Sequence, residues 1–493
     1  MPLFLALDQS TSATKALLFE VDGRVLDRES RVHKQFYPQP GWVEHDAEEI
    51  WQNTLAVFQE LLARQASRVG EIVSLSITNQ RETVVIFDRA TGKPLCPAVV
   101  WQCRRGDSFC TEHMAAGREK LVHAKTGLKL DAYFSASKLQ WVARNQPGIQ
   151  AKLANGSALI GTIDAYLIYR LTGGRVFATD SSNASRTLLY DITRLAWDEE
   201  LCDLWEVPAR ALPEVRESSA QFGDTTIGGL LGQPVPICGV MGDSQASLFA
   251  QRCFAAGSAK VTFGTGSSLL LNIGAKPRFS NNGVLTALAW VHDGVATYAF
   301  EGIIISSGST LTWLRDQLGF APDIAMIEKL AQEVPDNGGV YLVPAFTGLG
   351  LPHWRPDARA ALLGLSSHSD RRHVARAAFE SIAFQIREAL DAMRADGQIP
   401  LTALHGDGGP TASAFLMQLT ADLAGADLLV STMPDCSPLG AMLAGQLGLG
   451  VQSLATLATA RQQEAVYRPG LSASRGALLY EAWRAAVRQV LRD

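Results

Sequence analysis

The chain has little that would tie it to a disulfide scaffold, a membrane or a nucleic acid. Its seven cysteines, at positions 96, 103, 110, 202, 238, 253 and 436, form an odd, scattered set among 493 residues. No CxxC pair occurs and no Cys/His cluster falls at zinc-ligand spacing, so free thiols in a reducing cytosol are expected and the protein is read as cytoplasmic. No apolar run reaches the roughly 18 residues of a membrane span. The N-terminal MPLFLALDQ has no basic region and meets an acid at Asp8, so it reads as a strand and not as a signal peptide. Lys and Arg total 44 against 49 Asp and Glu, a net charge of −5. With no basic excess, nucleic acid is not an expected partner, and an anionic ligand must be held by local charges and backbone dipoles. A Walker A loop, a glycine-rich kinase loop with its VAIK lysine and a GxSxG elbow are all missing. There is no low-complexity segment and no solenoid repeat.

What is present begins with Leu3 to Glu20, LFLALDQSTSATKALLFE: an apolar strand, a turn of small hydroxyl residues, and a second apolar strand. Ser10, Thr11, Ser12 and Thr14 offer hydroxyls and backbone N–H groups, Lys15 a positive charge, and Asp8 a carboxylate for Mg²⁺. The same layout also suits an ordinary hairpin with a polar turn. A similar unit returns at Ala259 to Ile273, AKVTFGTGSSLLLNI. Two such turns suggest two lobes with one nucleotide clamped between them. The length also favours two domains of roughly 200–250 residues, divided as 1–254 and 255–493, after the Gly/Pro-rich stretch at 228–236.

Strands alternate with amphipathic helices, an α/β pattern. Asp46 and Glu49 have capping-box spacing before a helix whose Trp51, Leu55, Phe58 and Leu62 share one face. Strands are expected at 72–78, 83–87, 237–241 and 403–407. Helices are expected at 244–254, near 307–318, and at 370–395, 411–424 and 477–492.

Asp243 ends a strand in GVMGDSQAS, where it suits either a helix N-cap or a base that takes the proton of an attacking hydroxyl. Arg81 and Glu82 are adjacent and could grip neighbouring hydroxyls of a polyol, or form a surface ion pair. Trp101 and Tyr133 could wall a small polar ligand or serve as core. Asp407-Gly408-Gly409 permits close backbone approach by a nucleotide, or is a plain strand-to-helix turn.

Together the segments LALDQSTSATKALLFE, YPQPGWVEHDAEEIW, SITNQRETVVIFD, AVVWQCRR, TDSSNASRTLLYDI, GTGSS, YLVPAFTGLGLPHW and DGGPTASAFLMQ resemble the FGGY carbohydrate kinases, and among them the glycerol kinase branch. YFSASKLQWVARN (133–145) and AALLGLSSHSDRRHVARAAFE (360–380) match the two family signatures, and the likeness thins after about Gly450. The resemblance implies two actin-like, ribonuclease-H-like lobes with ATP in the cleft and transfer of its γ-phosphate to a terminal hydroxyl. It places Thr11, Ser12 and Lys15 in a first phosphate loop, with Mg²⁺ near Asp8 and Asp243, and Thr265 in a second. Gly308, Thr312, Gly409 and Ser413 fall on the nucleotide. Arg81, Glu82, Trp101, Tyr133, Ser244 and Ser268 fall on the polyol, with Asp243 as base. A homodimer or homotetramer is implied by the resemblance alone.

The phosphate loop reads DQSTSATK where glycerol kinases usually have DQGTTSSR. Ser244 and Ser268 stand where they carry Gln and Phe, and Thr312 and Ser413 where they carry Gln and Asn. Glycerol is the first expected substrate; a wider, more polar pocket would instead fit a four- or five-carbon polyol or ketose, unless neighbours fill the space and glycerol remains the substrate. A sugar-sensing pseudokinase is the non-enzymatic alternative. GGLLGQP lacks the arginine of the family's fructose 1,6-bisphosphate loop, so that regulation is not expected.

Overall fold

The computed structural model describes residues 2–460 and 464–491. Two mixed sheets dominate it, and both follow one strand order. The first sets Val25–Val32, Ala13–Glu20, Leu3–Gln9, Ile72–Asn79 and Val235–Gly242 side by side, with Gln221–Thr225 beyond the last. The second repeats this with Val295–Ile304, Ser267–Gly274, Ser258–Phe263, Ala403–Asp407 and Leu428–Ser431, flanked by Leu285–His292 and Glu464–Tyr467. In each, an antiparallel hairpin unit is extended by parallel strands. This is the expected pair of ribonuclease-H-like lobes.

Leu3–Gln9 lies inside its sheet and is buried along its whole length, which is why it reads as an apolar run broken only by its last residues. The helix Ala47–Arg64 covers that sheet with Trp51, Phe58 and Leu62 buried and Leu55 half-buried. Asp46 is its N-cap, but the expected capping box does not close: Glu49 accepts instead from the Lys34 amide at 3.4 Å.

Other boundaries shift by a few residues. The helix after Asp243 spans Asp243–Ala250, and the chain then turns through Arg252 in the left-handed region, φ 54°. The helix expected from 411 starts at Ala414, because a 3₁₀ turn occupies Gly409–Ala412 and Ser413 caps the α-helix proper. The C-terminal helix is Ala473–Val490; the expected end at Arg492 lies outside the described residues.

The sheets meet through a shared apolar cluster. Phe4, Leu17 and Phe19 of the first join Leu270 and Trp290 of the second, with Phe249 and Met442 from two helices between them. One of these helices, Cys436–Gly448, lies so close to Asp243–Ala250 that a Cβ on Gly440 would stand 1.8 Å from the Ala246 carbonyl oxygen. That contact fixes the helix that begins with Asp243, and Ser437 Oγ donates to the Asp243 carbonyl at 2.9 Å.

Candidate active site

Three parallel neighbours of the first sheet end level with one another: Gln9 and Gly242 both pair with Asn79. The residues just past these ends are Ser10–Ser12, Gln80–Glu82 and Asp243, so the topology alone gathers the first turn, the Arg-Glu pair and the candidate base. Ligands of open α/β sheets bind beyond such carboxyl ends.

Within the first turn, Ser10 Oγ donates to the Ala13 carbonyl at 3.0 Å and closes the loop. Thr14 is wholly buried, so its hydroxyl is not presented to a ligand, contrary to expectation. Thr11 and Ser12 stay open. The Thr11 carbonyl is held by His33 Nε2 and by Gln35 Nε2, both at 3.0 Å, and its hydroxyl accepts from the Trp101 indole at 3.0 Å. Lys15 faces Asp8 across the hairpin at 3.6 Å and reaches Asp435 at 3.2 Å. Burial, helped by nearby Asp243 and Asp435 and opposed by Lys15, pushes Asp8 up to about 6.

Asp243 is not the N-cap that its position allowed. Gly242 caps the helix, and the Asp243 carboxylate is 39% exposed, turned to the cleft, with Oδ1 3.2 Å from Arg81 Nε. Arg81 and Glu82 are not a surface pair either; both are buried. Glu82 has a left-handed backbone, φ 65°, a strained setting for a non-glycine residue of the kind that gathers at functional sites. Burial raises the Glu82 carboxyl, with Arg186 and Arg81 opposing. Trp101 and Tyr133 pack at 5.2 Å between ring centroids, and burial beside Glu82 raises the Tyr133 phenol. Ser244 Oγ lies 3.1 Å from Ser268 Oγ, so the two small residues bond each other across the lobes.

The second turn builds a different surface. Gly264, Thr265, Gly308, Thr312, Gly409 and Ser413 line one cavity of about 780 Å³ with Leu311, Trp313, Ile324 and Leu416. The amides of Ser307 and Ser309 donate to the Thr265 carbonyl at 2.9 and 3.1 Å. Gly408 is at φ 100°, and a Cβ there would stand 2.0 Å from the Phe263 carbonyl oxygen, so only glycine fits this approach. All five second-lobe nucleotide candidates therefore meet in one place. Ser413 Oγ also accepts from the Leu416 amide at 3.0 Å, as a helix cap.

Sequence reasoning missed several neighbours. Asp316 follows Gly308 and Thr312 at helical spacing and could have been found that way; Ile324 and Glu328 come from a separate helix and could not. Lys138, inside the first signature, is wholly buried and donates to the Tyr133 and Phe134 carbonyls at 2.9 and 3.0 Å, holding the segment that presents Tyr133.

Two like lobes, a cleft with an acid and a base candidate, and a nucleoside-sized cavity describe a phosphotransferase of the actin-like class. The chain belongs to the FGGY family of carbohydrate kinases: the family's N-terminal domain model matches residues 3–250 and its C-terminal domain model residues 259–449. It is 45% identical over 488 residues to a glycerol kinase of Desulfitobacterium hafniense, covering 99% of each chain. To glycerol kinase 1 of Thermotoga maritima it is 45% identical over 493 residues, again covering 99% of each. The structure of Plasmodium falciparum glycerol kinase with ADP superposes with a TM-score of 0.94 at 34% identity, covering 100% of this chain and 99% of that one. A xylulose kinase from Lactobacillus acidophilus shares the fold, with a TM-score of 0.89 at 20% identity. The protein is thus a carbohydrate kinase, with ATP as the donor. Among the described residues no helix is long and apolar enough to cross a membrane.

Proposed function

We propose that this kinase phosphorylates a terminal hydroxyl of glycerol, with Asp243 as the base and the division between lobes near residue 254. The observation that carries this is the position of Asp243: partly open to the cleft, in contact with Arg81 of the buried Arg-Glu pair, at the strand end level with the first turn. Arg81 donates to and Glu82 accepts from neighbouring hydroxyls, while Trp101 and Tyr133 close over the carbon chain. Asp243 takes the hydroxyl proton as the oxygen attacks phosphorus. Thr11, Ser12 and Lys15 face the transferring phosphate from one side and Thr265 from the other. The Trp313 cavity, with Gly308, Thr312, Gly409 and Ser413, takes the nucleoside.

A divalent cation fits the donor set. Asp8 is buried among carboxylates that raise its affinity for positive charge, and Mg²⁺ prefers such hard oxygens. Asp8 and Asp243 would hold it, and its charge would offset that of the phosphates.

The Ser244–Ser268 contact supports a second substrate reading. Two hydroxyls line this wall, and a four- or five-carbon polyol or ketose could bond them. ADP release with Mg-ATP against glycerol, erythritol, the threitols, xylitol, xylulose and ribulose decides. The highest kcat/KM for glycerol supports the first reading; a longer substrate in first place replaces it. No turnover of any of them would favour a sugar sensor.

A further inference from the structure

The segment TDSSNASR, residues 179–186, is a hub whose buried contacts reach Glu82, the strand end before Arg81 and the residue before Asp243. Asp180 caps the short helix Ser181–Ala184, accepting from the amides of Ser182 and Asn183 at 2.9 Å. Ser182 Oγ then accepts from the Gly242 amide at 2.9 Å, immediately before Asp243. Asn183 and Asn79 exchange side-chain hydrogen bonds at 3.0 Å, two residues before Arg81. Arg186, wholly buried, sets Nε 2.6 Å from Glu82 and a second guanidinium nitrogen on Glu301. Glu301 is also wholly buried, belongs to the Val295–Ile304 strand of the second sheet, and lies 2.8 Å from Arg81.

The two guanidiniums thus share Glu301 in a buried chain of contacts that runs Glu82–Arg186–Glu301–Arg81 and ends on Asp243 in the cleft. A buried charge left without its partner is strongly unfavourable, so each member restricts where the next can point. We infer that Arg186 and Glu301 are positioning residues: a charge frame drawn from both lobes that aims Arg81 and Glu82 at the substrate hydroxyls. This rests on the reading of Arg81 and Glu82 as polyol-binding. The polyol site is then complete only while the second sheet supplies Glu301.

The charge count selects the test. Counting Asp243, the group holds two guanidiniums and three carboxylates. Glu301→Gln leaves each guanidinium one carboxylate, Glu82 for Arg186 and the partly exposed Asp243 for Arg81, and its Tm is read beside the kinetics. Arg186→Lys keeps the charge but loses the fork that touches two carboxylates at once. Steady-state kinetics should show the polyol KM raised about ten- to hundredfold in both, as expected for a binding pair displaced by a fraction of an ångström to an ångström. KM for Mg-ATP should stay at the wild-type value. Ser182→Ala, which frees the Gly242 amide, should instead lower kcat with the polyol KM held. An unchanged polyol KM in Glu301→Gln overturns the inference, as does a parallel rise in both KM values together with a lowered Tm. If Arg186→Lys does not fold, Glu301→Gln alone decides. Wild-type turnover of a polyol tests the underlying reading separately, and a wild type inert toward every polyol overturns both.

Discussion

The two hairpin turns occupy equivalent places in lobes of equal strand order, yet they are built from opposite chemistry. The first is charged and tied down by side chains: Asp8, Lys15 and Asp435 surround it, and His33, Gln35 and Trp101 fix Thr11. The second, Gly264-Thr265-Gly266, is neutral and held by backbone amides from 307–309. A repeated fold has therefore been divided between two tasks. On the proposed reading, one copy manages charge at the reacting end of the nucleotide, and the other offers close backbone approach and an apolar cavity for the rest of it.

Replacing Asp8 tests the charged turn and carries the largest expected effect among substitutions in the two turns and the cavity. Asp8→Asn should lower kcat/KM by about 10²-fold or more, the scale for losing electrostatic stabilisation of a transferring group. The same change should stabilise the ligand-free protein. Asp8 holds its proton up to about 6 in the fold against 3.8 for the ordinary group, mainly through burial. A raised carboxyl binds protons more tightly when folded, so its contribution to stability grows as pH falls from about 6 toward 3.8 and is a penalty above that window. Thermal melts at pH 7.5 should place Asp8→Asn above wild type by no more than about 3 kcal/mol, with the gap closing toward pH 4. Over the same window, Mg-ATP binding by the wild type should weaken as pH drops below about 6.

Trp313→Ala probes the neutral half. Losing one wall of the cavity should cost about 1–2 kcal/mol, a roughly tenfold rise in KM for ATP with the polyol KM unchanged. A rise in both would mean that the cavity also supports the acceptor. Thr11→Val removes the acceptor of the Trp101 indole. Calorimetric titration of the polyol should register about 1 kcal/mol of lost affinity. The smallest effect belongs to Ser413→Ala, which should lower stability by about 1 kcal/mol through the lost helix cap and leave ATP affinity almost intact. A large loss of ATP affinity would make its hydroxyl a ligand contact first and a cap second.

Much of this was legible in the chain. The two strand–turn–strand units, the acid at the first turn and the glycines at 408–409 are local patterns, and local patterns survive in sequence. The nucleotide candidates Thr265, Gly308, Gly409 and Ser413 lie at turns or element starts that the local pattern reveals, and Thr312 joins them in one cavity one helical turn after Gly308. What stayed hidden depends on contacts between distant segments. The local sequence leaves Arg81 and Glu82 open between a polyol grip and a surface ion pair, because nothing near them announces Arg186 or Glu301. Thr14 looked available because alternation along a strand does not say which face is covered. The Ser244–Ser268 bond joins two lobes, and no single segment contains it.

The claim that the cleft is a phosphoryl-transfer site with Asp243 as its base is tested most directly by Asp243→Asn, assayed for polyol-dependent ADP release while Mg-ATP is titrated calorimetrically into the same preparation. The account predicts turnover reduced by about 10²–10⁴-fold, the range for a lost general base, with nucleotide binding nearly intact. Turnover at the wild-type rate would contradict it and remove Asp243 from the mechanism.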